Sequence, residues 1–575
     1  MNKRDNKRKK SKEIANKSTS KLVLTNDSCS DSEETSDIET PLYKRMTKKC
    51  RIISSSLESI VSTVAVPELE QSKCENEFSW TQKAFNPIIH KFNNNNSGVK
   101  ASINRKSSIL DIFEIFISEE LIGFIVERSN KYNENLTRSN AHNFAATTVP
   151  EIYNFLAVTM LMSRVRKVSL SEYWSKDKLI RTESFGEIMA RDRYIFLLKI
   201  LNFCYNNSEN DDPIRKIRPI LEKLRTSFKA AFYPFEKLCI DESLLLFKGR
   251  CYFKQYIPSK RSRFGIKSFV LCDCQTGFVQ DLIVYCGANM VICEDVPSTS
   301  IGKSGQVVMT LLEPYLGKGH TLVTDNWYSS PSLFLLLHKN ITNAYGTVRK
   351  NRLGKNRSEL NKKIKKGEYI FRSAKNVLAL KWMDKREVWM ISTYHRPIMI
   401  KTDKINYVTK EKIIKPQCIF DYNKTMGTVD KVDQVLHTLN STRKSLKWYK
   451  KFFFHLFDIA VYNTFILYNY ITGRNLTFHK FHLKLIKQIL RKYLGETNGY
   501  KLRGRDTNNE PFRLTQKHFP SPYESNTAIR KSARRKCVVC AKNDKRKDTH
   551  YECKKCNVGL CIHPCFEKYH TLLYY

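Results

Sequence analysis

Leu238-Cys239-Ile240-Asp241-Glu242-Ser243 decides the fold: Leu238 and Ile240 lead a short strand into a carboxylate. Two later stretches repeat the arrangement. The apolar run His320–Thr324 ends in Asp325-Asn326-Trp327, and Gly427-Thr428-Val429-Asp430 puts Asp430 in the first turn of a helix through Leu439, with Asp433 following. Working outward, Ser268–Asp273 and Phe278–Val284 read as a hairpin around Gln275-Thr276-Gly277. Ser330-Pro331 supplies an N-cap and an N1 proline for a helix to about His338, and Ala344–Val348 reads as one more strand. Alternating strands and helices predict a mixed α/β core.

Helical patterns flank this core. Ile109, Ile112, Phe113, Phe116, Leu121, Phe124 and Ile125 recur at helical spacing, and further helical stretches run through 150–165, 184–204 and 213–231. Helices return from Asp430 to Leu494. The longest apolar stretch, Phe452–Ile471, is interrupted by His455, Asp458, Asn463 and Asn469, so a buried core helix is expected and not a membrane span. Residues 350–416 are lysine-rich with a strand-like centre at Lys381–Thr393, which suggests an inserted subdomain. Residues 1–105 are rich in Ser, Lys, Asn and Glu and read as disordered. Within them, Phe78, Trp80, Phe85 and Pro87 form an aromatic island suited to dock on the folded body.

The net charge of +43, from 99 Lys+Arg against 56 Asp+Glu, points to a polyanionic partner. Nucleic acid ranks first and an anionic membrane surface second; a lysine-heavy compositional bias is the bland alternative. The chain opens Met1-Asn2-Lys3-Arg4 with no apolar run, so no secretory leader is expected. The seventeen cysteines then read as thiols or metal ligands, not disulfides. Basic clusters at Lys7-Arg8-Lys9-Lys10 and from Lys44 to Lys49 suit nuclear import, and equally a solvated charge run. The acidic, serine-rich Asp27–Glu34 could accept phosphate.

Three carboxylates that converge can hold two Mg²⁺ ions, and such a pair cuts phosphodiesters by in-line displacement. In a basic protein this suggests a DNA-processing enzyme. Taken singly, each aspartate also suits an ordinary turn or N-cap, and spacing alone does not bring the three together. Lys248, Arg250, Lys254, Lys260, Arg261 and Arg263 follow the first motif, and Arg349 and Lys350 follow the second. They are candidates for phosphate contacts, which set register without reading sequence.

The C-terminal stretch reads Cys537-x2-Cys540, His550, Cys553-x2-Cys556, Cys561, His563, Cys565, His570. Paired thiolates with interleaved histidines are a zinc signature. Two tetrahedral sites need eight ligands, and a cross-brace of Cys537, Cys540, His550, Cys553, Cys556, Cys561, Cys565 and His570 is expected, with His563 left out. A module this short has little core, so two structural Zn²⁺ ions would supply much of its folding energy.

The surroundings of the three aspartates carry a resemblance. Asp241-Glu242-Ser243 runs on into Phe247-Lys248-Gly249-Arg250, Tyr256-Ile257-Pro258-Ser259-Lys260 and Phe264-Gly265-Ile266-Lys267. Asp325-Asn326-Trp327-Tyr328-Ser329-Ser330 is followed by Tyr345-Gly346-Thr347-Val348-Arg349-Lys350-Asn351-Arg352. Met426-Gly427-Thr428-Val429-Asp430-Lys431-Val432-Asp433-Gln434 precedes Lys447-Trp448-Tyr449, and Pro564-Cys565-Phe566-Glu567-Lys568-Tyr569-His570 closes the chain's cysteine-rich end. Together these motifs resemble the piggyBac family of DNA transposases over residues 78 to 575, with Thr428 standing where the family usually has a second glycine.

The resemblance implies an α/β, RNase H-like catalytic core (237–349 and 417–439) with an insertion domain at 350–416. It implies a flanking all-helical dimerisation and DNA-binding domain (106–236 and 440–530) and a small cross-brace zinc module that binds DNA (531–575). It further implies a nuclear homodimer acting on double-stranded DNA, cutting element ends at TTAA sites and rejoining them by strand transfer. Asp241, Asp325 and Asp430 would bind the catalytic Mg²⁺ ions, with Asp433 the supporting acid. Two other functions stay open: a domesticated, catalytically silent DNA-binding protein, and a zinc-dependent protein-interaction factor.

Overall fold

The computed structural model describes residues 78–137, 145–204, 211–258, 263–287, 290, 298–354, 358–405, 407, 410–442, 445–494, 518–523, 534–572 and 575. The basic clusters at 7–10 and 44–49 and the acidic stretch at 27–34 lie outside these residues, as do Lys260 and Arg261.

A nine-stranded sheet forms the frame. Its strands are β1 (Lys237–Leu246), β2 (Gln255–Tyr256), β3 (Phe264–Asp273), β4 (Val279–Val284), β5 (Thr321–Thr324), β6 (Asn343–Thr347), β7 (Tyr369–Ala374), β8 (Val377–Met383) and β9 (Glu387–Ser392). The order is β2-β3-β1-β5-β6-β9-β8-β7, with β4 also paired to β3. β1, β5 and β6 run parallel, while β1–β3 and β3–β4 are antiparallel. Parallel neighbours need a crossover, and a helix supplies each one here. α7 (Ser298–Leu312) joins β4 to β5, and α8 (Pro331–Lys339) joins β5 to β6. Ser330 caps α8 by accepting from Leu333 N at 3.2 Å, and Pro331 follows it.

Both faces of the sheet are covered. Leu238 and Ile240 of β1 face α7 and α8 in one apolar cluster. Cys239 faces the other way, into the largest cluster with α6 (Arg218–Ala231), α10 (Thr428–Thr438) and α11 (Trp448–Thr472). The alternation of side chains along a strand therefore assigns Asp241 to the α10 face. The predicted core helix is α11. Two of its buried polar groups are held by the backbone of other segments: Asp458 accepts from Ser441 N at 3.0 Å, and Asn463 exchanges bonds with the Val279 backbone at 2.9 and 3.0 Å. No described helix is long and apolar enough to cross a membrane.

Several elements differ from the sequence pattern. The helical stretch at 184–204 divides into α4 (Glu183–Ile188) and α5 (Arg191–Ile200), because Met189 and Ala190 are extended. The Met189 carbonyl freed by that break accepts from Trp174 Nε1 at 2.7 Å. Residues 369–392, within the stretch read as an inserted subdomain, continue the main sheet through β9 on β6. Residues 78–92, assigned by composition to the N-terminal tail, lie on the body, where the aromatic island docks as expected. Trp80 is buried and donates to Leu353 O at 2.9 Å, Thr81 pairs with Ser373 on the sheet's outer strand, and Phe85 is buried beside β8.

Candidate active site and zinc-finger module

Two of the three aspartates meet through strand register. Ile240 pairs with Thr324 across parallel β1 and β5, so Asp241 and Asp325 stand side by side where that pairing ends, in mid-β1 and just past β5, roughly 5 Å apart in the backbone. Asp325 is fixed by the turn it starts. Its Oδ1 accepts from Trp327 N at 2.9 Å, and its carbonyl accepts from Ser329 N at 3.2 Å and Ser329 Oγ at 2.9 Å. β6 passes so close that a Cβ at Gly346 would lie 2.2 Å from the Thr324 carbonyl. Only glycine fits there.

The third aspartate arrives on α10. The Cys239 thiol donates to the Met426 carbonyl at 3.3 Å, and Ser243 Oγ donates to Asp433 Oδ1 at 2.8 Å. Chain segment and strand therefore run in the same direction. Asp430 lies roughly 6 Å beyond Met426 at helical rise, and Asp241 roughly 6.6 Å beyond Cys239 at strand rise. Asp430 thus falls level with Asp241. Asp430 is exposed and Asp433 half-buried. Among the described residues, the sets of three or more metal-ligating side chains gathered within 4.8 Å are Cys/His sets, and the three aspartates do not form one.

Burial pushes the Asp325 carboxyl above its ordinary range; Glu242 adds to the rise, while Trp327 N–H and Lys267 oppose it. Glu242 is a fourth carboxylate here, quoted in the first motif but given no role from sequence. Lys267 Nζ holds it at 2.6 Å while lying 4.8 Å over the Trp327 ring and 4.9 Å over Phe269. The adjacency of Glu242 to Asp241 was the available signal.

The basic candidates divide. Lys248, Arg250, Arg263 and Lys350 are exposed. Lys254 Nζ donates to Gly249 O at 3.1 Å and holds the turn that carries Lys248 and Arg250. Arg349 Nε donates to Asn326 Oδ1 at 3.4 Å, beside Asp325.

At the C-terminal end, ligand atoms gather in two sets: Cys537, Cys540, Cys561 and Cys565, and His518, Cys553, Cys556 and His570. The sets alternate along the chain, as a cross-brace does. His518 takes the place expected of His550. Residues Pro520–Pro522 pair with Tyr551–Cys553, opposing Pro520 to Cys553, and this brings His518 Nδ1 to 3.2 Å from Cys553 Sγ and 3.4 Å from Cys556 Sγ. His550 sits at the far end of that pairing, three residues or roughly 10 Å from Cys553. Its carbonyl instead accepts from Tyr523 N at 3.0 Å. His570 donates Nδ1–H to Phe566 O at 2.7 Å, which leaves Nε2 as the lone-pair nitrogen, 3.7 Å from Cys556 Sγ. All eight positions are protein side chains of zinc-binding type, which suits closed structural sites.

A mixed α/β core with carboxylates on and just past neighbouring parallel strands, followed by paired Cys/His sets, defines a class. Residues 109–465 match the family described as Transposase IS4, and residues 523–571 match the DDE_Tnp_1-like zinc finger. The chain belongs to this transposase family, in its piggyBac type. It is 25% identical over 472 residues to human PiggyBac transposable element-derived protein 3, covering 80% of this chain and 76% of that protein. It is 22% identical over 406 residues to human PiggyBac transposable element-derived protein 2, covering 68% and 66%. In fold it resembles the cryo-EM structure of the piggyBac transposase synaptic complex with hairpin DNA. The TM-score is 0.61 at 22% identity, over 81% of this chain and 99% of that one.

Proposed function

We propose that this protein is a DNA transposase that cuts and rejoins double-stranded DNA at TTAA sites. The observation that carries this reading is the placement of Asp241 in mid-β1 beside Asp325, which directly follows the parallel strand β5, with α10 carrying Asp430 along the same stretch of β1. The order β4-β3-β1-β5-β6, with three antiparallel strands leading into two parallel ones, supports an RNase H-like core.

Asp241, Asp325 and Asp430 would hold two Mg²⁺ ions, and Ser243 would orient Asp433 as the supporting acid. When bound, the ions supply a nucleophilic oxygen and neutralise charge on the leaving one. The donor set fits them: hard carboxylate oxygens, and an Asp325 already burdened by burial and by Glu242. Lys267 screens Glu242 so that this fourth carboxylate does not overload the cluster. Lys248, Arg250, Arg263, Arg349 and Lys350 would hold phosphates, since all follow the Asp241 and Asp325 motifs in sequence. The zinc module, with His518 and not His550 in its second set, would grip DNA beyond the cut, and a homodimer would hold two ends together. The basic clusters near the N-terminus support a nuclear location.

A cleavage assay tests this. Protein, Mg²⁺ and a duplex with an element end beside TTAA should give nicked product. Asp241→Ala, Asp325→Ala and Asp430→Ala should each lower the rate by at least about 10³-fold, since metal and carboxylates act as a unit. Tight DNA binding without cleavage, unchanged by the substitutions, would favour a domesticated binder.

A further inference from the structure

β10 (Met399–Ile405) and β11 (Lys412–Pro416) form a two-stranded antiparallel ribbon apart from the main sheet. The stretch 399–416 carries five lysines against two acids, Asp403 and Glu411. Ile400 pairs with Lys415, which is half-buried with its Nζ 5.6 Å over the Trp382 ring. Cross-strand partners share a face, and successive residues alternate. Lys401 and its partner Ile414 therefore take the opposite face, and Lys412 and its partner Ile405 join them. All four are exposed, Ile405 at 54% and Ile414 at 49%. Tyr407, between the strands, is 90% exposed. One exposed isoleucine is ordinary. Two lysines and two isoleucines alternating on one exposed face suit a polyanion that also offers apolar edges.

The ribbon is rooted at the end of the sheet that carries Asp325. Val348, just past β6, donates its N–H to Trp389 O at 2.9 Å, and the neighbouring Val388 pairs with Trp382 of β8. Trp382 pairs in turn with Tyr369, whose hydroxyl donates to Pro397 O at 3.2 Å, just before β10. Between Asp325 and this root lies Lys350, its Nζ 5.8 Å over the Trp389 ring. From β5 to β8 is three strand spacings, roughly 14 Å, which is under half of a duplex turn of about 34 Å. A two-stranded ribbon also fits a major groove about 12 Å wide. We propose that this ribbon is a DNA-binding arm that enters the major groove beside the cut. Lys401 and Lys412 contact phosphates, and Ile405 and Ile414 contact base edges. This role rests on the protein acting on double-stranded DNA, as proposed above.

The two kinds of contact leave different marks on salt dependence, because phosphate contacts release counterions and apolar contacts do not. The test is the dissociation constant of full-length, zinc-loaded protein for a labelled duplex with an element end beside TTAA, measured by anisotropy over a range of salt. In the double variant Lys401→Gln/Lys412→Gln, the slope of log dissociation constant against log salt should be shallower by about 0.9 for each lost contact. In Ile405→Ser/Ile414→Ser the dissociation constant should rise by about tenfold with the slope unchanged. A lysine variant with the wild-type slope would overturn the proposal. So would an isoleucine variant whose slope falls as far as the lysine variant's, or one that binds as tightly as the wild type. Vesicles containing phosphatidylserine test the other polyanion: if the lysine variant loses vesicle binding while its DNA affinity holds, the ribbon faces a membrane and the arm is refuted. The wild type separates this from the reading beneath it. If it binds no duplex, the DNA reading fails and the arm with it; if it binds and both variants bind alike, only the arm fails.

Discussion

Two buried ionisable residues on α11 show how single side chains set the protein's response to pH. Burial pushes the Asp458 carboxyl up to about 8 and the His455 imidazole down to about 4. For Asp458 the folded chain holds the proton more tightly than the unfolded one, so its contribution to stability is fullest at low pH and is lost as pH rises towards 8. For His455 the folded chain binds the proton less tightly, so stability is lost as pH falls from 6.5 towards 4. Above 6.5 only the Asp458 effect remains of the two. Asp458→Asn should remove about 1–2 kcal/mol of the decline in unfolding free energy between pH 6.5 and 8. Urea titrations across that window would show it; parallel curves for the two proteins would refute it. The same residue was legible in sequence as a polar interruption of an apolar run. Its partner Ser441 was not, because the bond depends on how the chain before α11 folds back.

At the scale of elements, the zinc module shows where spacing informs and where it misleads. The thiol pairs Cys537/Cys540 and Cys553/Cys556 announce themselves by separation alone. The histidine that completes the second set does not. His518 stands nineteen residues before Cys537 and reaches Cys553 only because Pro520–Pro522 adds a strand beside Tyr551–Cys553. His550 lies closer in sequence but on the wrong end of that strand. Zinc content measured on purified variants decides between them. His518→Ala should hold one zinc per chain where the wild type holds two, and His550→Ala should keep both. The reverse result would restore His550 as the ligand. Chelation should melt the module around both sets, since metal stands in for a core there.

At the scale of the whole molecule, the parallel trio β1, β5 and β6 does the positioning. The order of motifs and the strand–helix alternation were readable, because apolar runs ending in aspartate and the Ser330-Pro331 helix start are local signals. The strand-like centre at Lys381–Thr393 was readable, but not that β7, β8 and β9 extend the main sheet, because that pairing is set at long range. Nor was Glu242 assigned, although its salt bridge to Lys267 joins two of the quoted motifs. The adjacency of Asp241 and Asp325 follows from register, and α10 runs along β1 through the Cys239 and Ser243 bonds, from which we infer that the three aspartates converge. That convergence is the central claim, and anomalous scattering from Mn²⁺-loaded, DNA-bound crystals tests it most directly. Two Mn²⁺ peaks about 3.5–4 Å apart should lie among Asp241, Asp325 and Asp430. Peaks held elsewhere, or Asp430 turned away from ions held by Asp241 and Asp325, would contradict it.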